Sequence, residues 1–254
     1  MSFILNQAPL TLNVQFTRVP GCVGAISYPA ASLSPYKLTI AILKMALDLG
    51  LNLQTQTTAT SVQSDSSGHW KVATRSKEVK THKVIHATNG YSSYLLPELT
   101  GRIIPLKGHV AAIPPSSEYE SKPLDKTMAF VWDTDYDYLI QRQTKGKHLI
   151  LGGRDLNHPE GFLGPLGDSD DCVMNHEYGI ALREFPEAQF KEWLPQTNGV
   201  ANSPATQQPL ETVVWTGIMG VTNDSLPFLG ELPGKQGQYI AAGYNGHGKK
   251  MSKS

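Results

Sequence analysis

Apolar residues recur at helical spacing in one early segment and predict an amphipathic helix from Pro35 to Leu49. Ser34 is a favourable N-cap residue, and proline suits the first helical position that follows it. Gly50 then provides a stop signal at the carboxyl end. The apolar residues that share one face of this helix are Leu38, Ala41, Ile42, Met45 and Leu49.

Short strands are predicted after this helix, because β-branched and apolar residues alternate or cluster between turn signals. One polar turn is predicted at 64–68, and a second turn follows the strand that ends near Ala87. A helix combined with strands that end in tight turns is typical of an α/β unit. The predicted strands are 51–55, 58–63, 70–74, 83–87 and 103–113, the last interrupted near Gly108.

The middle of the chain has a different pattern, in which short apolar runs predict antiparallel strands joined by turns. A hairpin turn is predicted from Thr144 to Lys147. A helix is predicted from Asp170 to Glu184, ended before Pro186. The predicted strands are 128–132, 138–141 and 148–151, a loop follows at 198–209, and strands return at 212–215 and 239–242.

This alternation of character predicts an α/β (α+β) fold with two interleaved domains, an α/β domain and an antiparallel-sheet domain. The α/β domain is expected to take residues 30–103 and 212–254. The antiparallel-sheet domain is expected to take residues 1–29 and 104–211.

The charge composition argues against nucleic acid and anionic membranes as partners of this chain. The chain has 254 residues, with 22 Lys and Arg against 22 Asp and Glu, so bulk charge attracts neither nucleic acid nor an anionic membrane. The sequence shows no signal peptide and no apolar run long enough to span a membrane. Cys22 and Cys172 are far apart and are interpreted as free thiols of a reducing compartment, which predicts a cytoplasmic protein.

Two strand-end motifs carry candidate chemistry. The strand that ends near Ala87 runs into Thr88-Asn-Gly90, and open α/β sheets bind ligands beyond such strand ends. The strand at 239–242 runs into Gly243-Tyr-Asn-Gly-His-Gly248, where glycines let backbone approach a flat ligand closely. Either motif alone is more often an ordinary turn. We predict that the two turns meet around one cleft, because a single flat ring would have to contact both.

Metal binding is not predicted. Asp133, Asp135 and Asp137 imitate the start of a calcium loop, but the glycine and glutamate that such a loop needs later are missing. His82 and His86 lie four residues apart on a strand, which spreads them along the chain, and no third ligand accompanies them.

Taken together and in order with Tyr28-Pro-Ala-Ala-Ser32, Thr58-Ala-Thr-Ser-Val62 and Leu149-Ile-Leu-Gly-Gly153, the two motifs resemble the glycine oxidase, sarcosine oxidase and D-amino-acid oxidase family of flavoenzymes. The resemblance covers about residues 20 to 248. It implies FAD as cofactor, and a small amine or amino acid as the substrate that transfers a hydride to the flavin. It also assigns the α/β domain to FAD and the antiparallel sheet to the substrate.

The resemblance implies cofactor contacts in three places. A valine backbone meets the adenine, the Ala-Thr-Asn-Gly turn passes near the dinucleotide, and the last loop contacts the pyrimidine edge of the flavin. Asp224 matches an acid of the family in the last segment. The implied cofactor-binding residues are Val62, Ala87, Thr88, Gly90, Gly246, His247 and Gly248.

Substrate contacts are less specific. Lys107 and His109 could line the face of the flavin, or form a polar strand that crosses between domains. Arg142 and Arg154 could bind a substrate carboxylate through a bidentate guanidinium, although surface ion pairs are the commoner role. No catalytic base is identified from the sequence.

Three departures from the family affect these expectations. The Gly-x-Gly-x-x-Gly fingerprint for the FAD pyrophosphate is absent from the chain, as is the closing helix of the family, so the fold is expected to be incomplete at both ends. Gly217 stands where sarcosine oxidase has its flavin-linking cysteine, and Ile150 stands where it has an oxygen-activating lysine. A truncated, non-catalytic remnant or binding module of such an enzyme therefore remains the alternative.

Overall fold

The computed structural model describes residues 17–131, 136–144, 146–153, 165–191, 193 and 212–246. These residues divide into two compact units. The unit that we call the mixed unit contains the described residues of 34–108, 159–173 and 216–254. The sheet unit contains the described residues of 1–33, 109–158 and 174–215.

The mixed unit begins with helix α1, Pro35–Asp48. The Ser34 side chain caps it by accepting a hydrogen bond from the Lys37 N–H at 3.4 Å. The helix ends one residue before the predicted end, with Leu49 as its C-cap and Gly50 in the left-handed region at φ +94°. The capping signals therefore place both ends of this helix correctly.

Two three-stranded sheets follow in the mixed unit. The first has the order β1-β2-β3 and is antiparallel throughout. The second has the order β10-β11-β4, in which β11 pairs parallel with β4 and antiparallel with β10. The strands are β1 Ala59–Ser64, β2 Trp70–Thr74, β3 Glu78–Thr81, β4 Val84–His86, β10 Phe228–Glu231 and β11 Gln238–Ala242.

A chain of short helical turns follows β4. The 3-10 turn Asn89–Tyr91 leads directly into helix α2, Ser92–Leu95, and a second 3-10 turn covers Pro97–Leu99. These turns pack an apolar cluster against β11, and the cluster forms the core of the mixed unit. Its buried members are Leu96, Leu99, Ile103, Leu232, Ile240 and Ala242.

A five-stranded sheet has the order β6-β7-β8-β5-β9. The pairs β5 with β8, β6 with β7, and β7 with β8 are antiparallel, as the sequence pattern predicts. Along the chain, β5 and β9 each pass from one unit into the other. The strands are β5 Ile104–Ile113, β6 Met128–Val131, β7 Tyr136–Gln141, β8 Leu149–Gly152 and β9 Val213–Val221.

Two helices, α3 at Ser117–Ser121 and α4 at His176–Gln189, complete the sheet unit. Their buried residues join those of the strands in one apolar core. In this core, every second residue of β8 packs against the apolar side of α4. An amphipathic sheet and an amphipathic helix bury their apolar sides in this way. The core contains Ala111, Ile113, Tyr119, Leu124, Leu139, Leu149, Leu151, Leu182, Phe185 and Phe190.

The predicted α+β class, with antiparallel sheets, is confirmed, and several local predictions are wrong. Residues 51–55 form no strand, because alternation of apolar and polar residues alone does not supply a pairing partner. Helix α4 begins later than predicted because the Asn175 side chain caps it, accepting from the Glu177 N–H at 2.9 Å. The helix continues through Pro186, whose buried position in the core outweighs the backbone bond that proline removes.

The sequence also missed β3 and β10, and β5 runs through Gly108 without a break. Residues 165–173, expected in the antiparallel-sheet domain, fall in the mixed unit. The Lys107 N–H donates to the Pro165 carbonyl at 3.1 Å, and the Gly167 N–H donates to the Pro105 carbonyl at 2.7 Å. The assignment of the two domains to FAD and to substrate stays a prediction.

Among the described residues, no helix combines the length and the apolar character that a bilayer crossing needs. Cys22 and Cys172 are both free thiols. The predicted loop at 198–209 lies outside the described residues.

The apolar face of α1 is exposed rather than buried. Leu38 is 44% exposed, Ile42 58%, Met45 66% and Leu49 88%. Contiguous apolar surface of this kind drives association between molecules. We therefore expect the isolated 254-residue chain to self-associate through this face.

Replacing both Ile42 and Met45 with glutamine is expected to weaken self-association at least tenfold, because each buried side chain of this type contributes about 1.5–3 kcal/mol. Sedimentation velocity over a concentration series measures the change. Lys44→Gln is the matched control, since Lys44 is an exposed residue on another side of the same helix. Equal association of the control and the double variant would contradict a role for the apolar face.

Candidate functional site

The turn after β4 contacts the turn after β11 within the mixed unit. The Asn89 side-chain oxygen accepts a hydrogen bond from the Gly243 N–H at 2.9 Å and a longer one from the Tyr244 N–H at 3.5 Å. The two motifs that the sequence singles out are therefore adjacent, although 154 residues separate Asn89 from Gly243. The predicted proximity of the turns is confirmed at Asn89, Gly243 and Tyr244, whereas the cleft that they are expected to border stays a prediction.

Strand direction explains why these turns lie together. Strands β4 and β11 are parallel, with Ile240 opposite His86, so their carboxyl ends lie at the same edge of the sheet. A buried hydrogen bond of 2.7 Å joins the His86 Nε2 and Gln238 Oε1 atoms and ties the two strands together. Any ligand at this edge would face both turns.

A third segment, the end of β9, joins the two turns. The Asn245 side-chain oxygen accepts from the Thr222 N–H at 2.7 Å, and the Asn245 side-chain amide donates to the Gly243 carbonyl at 2.7 Å. The backbone N–H of Asn245 donates to the Gly220 carbonyl at 2.9 Å. The site is therefore built from three strand ends rather than two.

Glycine is required where these strand ends touch. A Cβ atom on Gly90 would lie 2.6 Å from the Met219 carbonyl oxygen, and one on Gly220 would lie 2.6 Å from the Asn89 side-chain oxygen. Both distances are far below van der Waals contact. Gly90, which the resemblance assigns to cofactor binding, thus has a packing role that is independent of any ligand.

The turn that follows β9 contains Asp224, which the family resemblance also singles out. Its carboxylate accepts from the Leu226 N–H at 3.0 Å and from the Thr222 hydroxyl at 3.1 Å. These hydrogen bonds stabilise the charged form, the backbone N–H most of all, and lower the pKa of Asp224. Asp224 therefore shapes the turn as an ionised carboxylate.

Most of the residues at this edge are small, and the half-buried Tyr244 is the large side chain of the turn after β11. Ala87 and Gly246 are exposed and Thr88 is half-buried. The Thr88 hydroxyl lies 3.1 Å from the Ser92 hydroxyl. Among the described residues, a Cβ atom on Gly246 would meet only the Met219 sulfur, at 3.7 Å. An uncharged edge made mostly of small residues, with one aromatic side chain, fits the flat ring of a flavin.

The remaining cofactor-binding predictions fall elsewhere or cannot be placed. Val62 is half-buried in β1, opposite Val72, and β1 lies beside α2 in the same unit. His247 and Gly248 lie outside the described residues. The roles of all the predicted cofactor-binding residues stay predictions.

Lys107 is held by the segment 165–173 of the mixed unit. Its ammonium group lies 2.5 Å from the Asp168 carboxylate and donates to the Val173 carbonyl at 3.1 Å, and the residue is only 6% exposed. Its positive charge is thus matched inside the chain. The pKa of Tyr91 is raised, first by its partial burial and next by the negative charge of Asp171 in the same segment.

His109 and Arg142, the other predicted substrate residues, belong to the sheet unit. The buried His109 ring stacks on Tyr178 at 4.4 Å with nearly parallel planes, and its Nε2 atom accepts from the Asn175 N–H at 3.3 Å. Arg142 is exposed on the hairpin between β7 and β8, where its backbone N–H donates to the His148 carbonyl at 2.9 Å. Their substrate roles stay predictions, and Arg154 lies outside the described residues.

Replacing Lys107 with methionine is expected to destabilise the chain by about 1–3 kcal/mol, because it removes the buried ammonium group that pairs with the Asp168 carboxylate and donates to the Val173 carbonyl. Urea denaturation measures the change in the free energy of unfolding. The matched control is Lys235→Met, which removes a more exposed ion pair with Glu98 and should cost under about 1 kcal/mol. An equal loss of unfolding free energy in the two variants would show that the burial of Lys107 adds nothing to the stability that its ion pair provides.

Comparison with known proteins shows the family of this chain. The family described as FAD dependent oxidoreductase matches residues 6–252. This chain belongs to that family. The family is FAD-dependent. The relatives that match most of this chain in sequence are an oxidase and a dehydrogenase.

Two curated proteins are similar in sequence. Glycine oxidase of Geobacillus kaustophilus is 23% identical over 232 residues, which is 90% of this chain and 53% of that protein. Human mitochondrial dimethylglycine dehydrogenase is 24% identical over 233 residues, 84% of this chain and 24% of that protein. The chain therefore spans about half or less of the curated relatives that it matches.

Solved structures share the fold. L-proline dehydrogenase from P. horikoshii has a TM-score of 0.59 at 19% identity, covering 84% of this chain and 51% of that one. Amadoriase I from Aspergillus fumigatus has a TM-score of 0.58 at 16% identity, covering 84% and 47%. At these identities the likeness concerns the fold alone, and here too the match takes in about half of the longer chain.

Proposed function

We propose that this chain provides the flavin-ring side and the substrate side of an FAD-dependent oxidoreductase that oxidises the C–N bond of a small amine or amino acid. The observation that carries the proposal is the direct contact between the turns after β4 and β11 at Asn89 and Gly243. Both turns lie at the carboxyl edge of a parallel strand pair, the usual ligand-binding edge of an open α/β sheet.

The proposed cofactor contacts are mostly backbone contacts. Small residues at the sheet edge would let the flat ring approach the chain, and a backbone N–H directed at the pyrimidine edge would stabilise negative charge on the reduced ring. Val62 would contact the adenine end. The proposed cofactor-binding residues are Val62, Ala87, Thr88, Gly90, Gly246, His247 and Gly248.

The bound flavin would supply the chemistry by accepting a hydride from the carbon next to the substrate nitrogen. The chain's own residues would orient that carbon and exclude water, which favours the neutral amine that the transfer needs. No residue of the chain is assigned as a catalytic base.

Among the proposed substrate residues, Arg142 is the best candidate for binding a carboxylate, because it is exposed on the sheet unit. Lys107 is a weaker candidate since its ammonium is paired with Asp168. His109 would contribute through its ring, which is already stacked on Tyr178.

The substrate class rests on the relatives. The two curated relatives are named for glycine and dimethylglycine, which are both small amino acids. A small molecule of this kind, rather than nucleic acid, is also the partner that fits the balanced charge of the chain. We propose a cytoplasmic location because both cysteines are free thiols.

A chimera tests the substrate class. Residues 6–252 would replace the matching region of Geobacillus glycine oxidase, and the flavin content of the purified chimera would report correct assembly. Anaerobic addition of small amines and amino acids is expected to bleach the flavin absorption. Bleaching by alcohols alone, in a chimera that holds flavin, would contradict the proposal.

The second candidate function is a non-catalytic binding module. The exposed apolar face of α1 favours it. The chimera with glycine oxidase discriminates the two. A chimera that holds flavin and is bleached by an amine or amino acid supports the oxidoreductase, whereas a chimera that holds flavin and is bleached by neither supports the binding module.

A further inference from the structure

Two asparagines at the strand ends adopt the left-handed backbone conformation, Asn89 at φ +44° and Asn245 at φ +51°. Few residues other than glycine tolerate this region, and asparagine is enriched there because its short amide can bond locally. In both residues the side chain bonds to a different strand end. Asn89 lies after β4 and reaches the turn after β11, whereas Asn245 lies after β11 and reaches the end of β9.

The Asn89 oxygen fixes the first residues of the turn after β11. It accepts from two consecutive amides, those of Gly243 and Tyr244. Gly243 itself is buried and left-handed at φ +77°, and a Cβ atom on it would lie 2.8 Å from the Thr222 side chain. The hydrogen bonds to Asn89 and the close contact with Thr222 therefore together determine the direction in which the chain leaves β11.

Asn245 completes the arrangement from within the turn. Its side-chain amide donates to the Gly243 carbonyl, which closes the turn on itself, and to the Thr222 hydroxyl at 3.1 Å. Its side-chain oxygen accepts from the Thr222 N–H. The next residue, Gly246, is exposed and bounds the edge where the ligand is proposed to bind. The shape of that edge thus depends on side-chain hydrogen bonds rather than on the strand ladder.

We infer that Asn89 is a positioning residue, which holds the turn from Gly243 to Gly246 in the shape that binds the flavin ring. This inference rests on the proposed function, because it takes the flavin as the ligand of that turn. Asn89 acts through the backbone of Gly243 and Tyr244, and a direct contact with the ligand is not required. Asn89 contributes in two ways, through its left-handed backbone and through its acceptor oxygen, and substitutions can remove one without the other.

Three substitutions separate these parts. Asn89→Gly keeps the left-handed backbone and removes the acceptor, whereas Asn89→Asp keeps both the tolerance for this conformation and an acceptor oxygen. Asn89→Ala removes both. Gln56→Gly is the matched control, since Gln56 is an exposed residue that is also left-handed, at φ +52°, in the same unit before β1.

The first measurement is amide hydrogen exchange without any flavin. Loss of the acceptor is expected to speed exchange at Gly243 and Tyr244 about tenfold in the glycine and alanine variants, as removal of a hydrogen bond of ordinary strength implies. Exchange in β2, Trp70–Thr74, should stay unchanged, which excludes global destabilisation. Asn89→Asp should restore protection. Unchanged exchange in Asn89→Gly would overturn the inference.

The second measurement is the midpoint of an FAD titration followed by NMR at up to millimolar FAD. Asn89→Gly is expected to shift the midpoint at least fivefold above that of the unsubstituted chain and of Gln56→Gly. Faster exchange with an unchanged midpoint would also overturn the inference, because Asn89 would then support the fold alone. Failure of the unsubstituted chain to respond to FAD would refute the proposed function itself, and that failure is recognised without any substitution.

Discussion

Replacing Gly220 with alanine is expected to separate the turn after β4 from β9 and to destabilise the mixed unit by about 2–4 kcal/mol. The added Cβ atom would lie 2.6 Å from the Asn89 side-chain oxygen and 2.9 Å from the Gly90 backbone nitrogen. Backbone cannot yield as the end of a flexible side chain can. The substitution also displaces Asn89, so the hydrogen bond to Gly243 should be lost with it.

Gly217→Ala provides the matched control, because Gly217 lies in the same strand and a Cβ atom there would meet no atom of the described residues within 4 Å. Thermal and urea unfolding of the two variants compares a crowded glycine with an uncrowded one three residues away. The control is expected to change the free energy of unfolding by less than about 1 kcal/mol. Similar stabilities for the two variants would mean that the strand ends are less closely packed than described.

The isolated 254-residue chain is expected to bind FAD more weakly than micromolar and to turn over no substrate. The FAD pyrophosphate is doubly charged, and the Gly-x-Gly-x-x-Gly turn that binds such a group at a helix N-terminus is absent from these residues. Charge-assisted hydrogen bonds of that kind contribute about 1.5–3 kcal/mol each. Without several of these hydrogen bonds, the affinity of the chain for FAD is lower by orders of magnitude.

Riboflavin provides the matched ligand for this prediction, because it carries the ring without the pyrophosphate. If only the ring is bound, fluorescence titrations should give dissociation constants for FAD and riboflavin within about threefold of each other, since the pyrophosphate adds little. Micromolar or tighter FAD binding, with flavin that bleaches on addition of an amine, would contradict the prediction. It would show that residues other than the fingerprint bind the pyrophosphate.

Local sequence signals predicted the elements that local chemistry determines. Ser34 and Gly50 bounded α1, and the Asn-Gly pair at Asn89 marked the turn after β4. The antiparallel pairs of the sheet unit also follow from the strand pattern. The meeting of the two strand-end turns could be predicted because a resemblance linked them to one ligand, whereas neither turn alone indicated the other.

Long-range contacts account for what the sequence did not reveal. Nothing near Asn89 in sequence indicates that its side chain bonds to Gly243, and nothing near Lys107 indicates its pairing with Asp168. Helix α4 passes Pro186 because burial in a core assembled from distant strands outweighs a local rule. Strand β10 was missed because its pairing with β11 is settled by partner geometry rather than by its own composition.

Backbone amide NMR with FAD at up to millimolar concentration tests whether the turns after β4 and β11 form one flavin-binding edge. We expect saturable shift changes concentrated at 87–90 and 243–248, with the β1-β2-β3 sheet unaffected apart from the surroundings of Val62. Riboflavin should reproduce the changes in both turns. Shift changes that are scattered over the surface, confined to one turn, or absent at millimolar FAD would show that the two turns do not bind the flavin together.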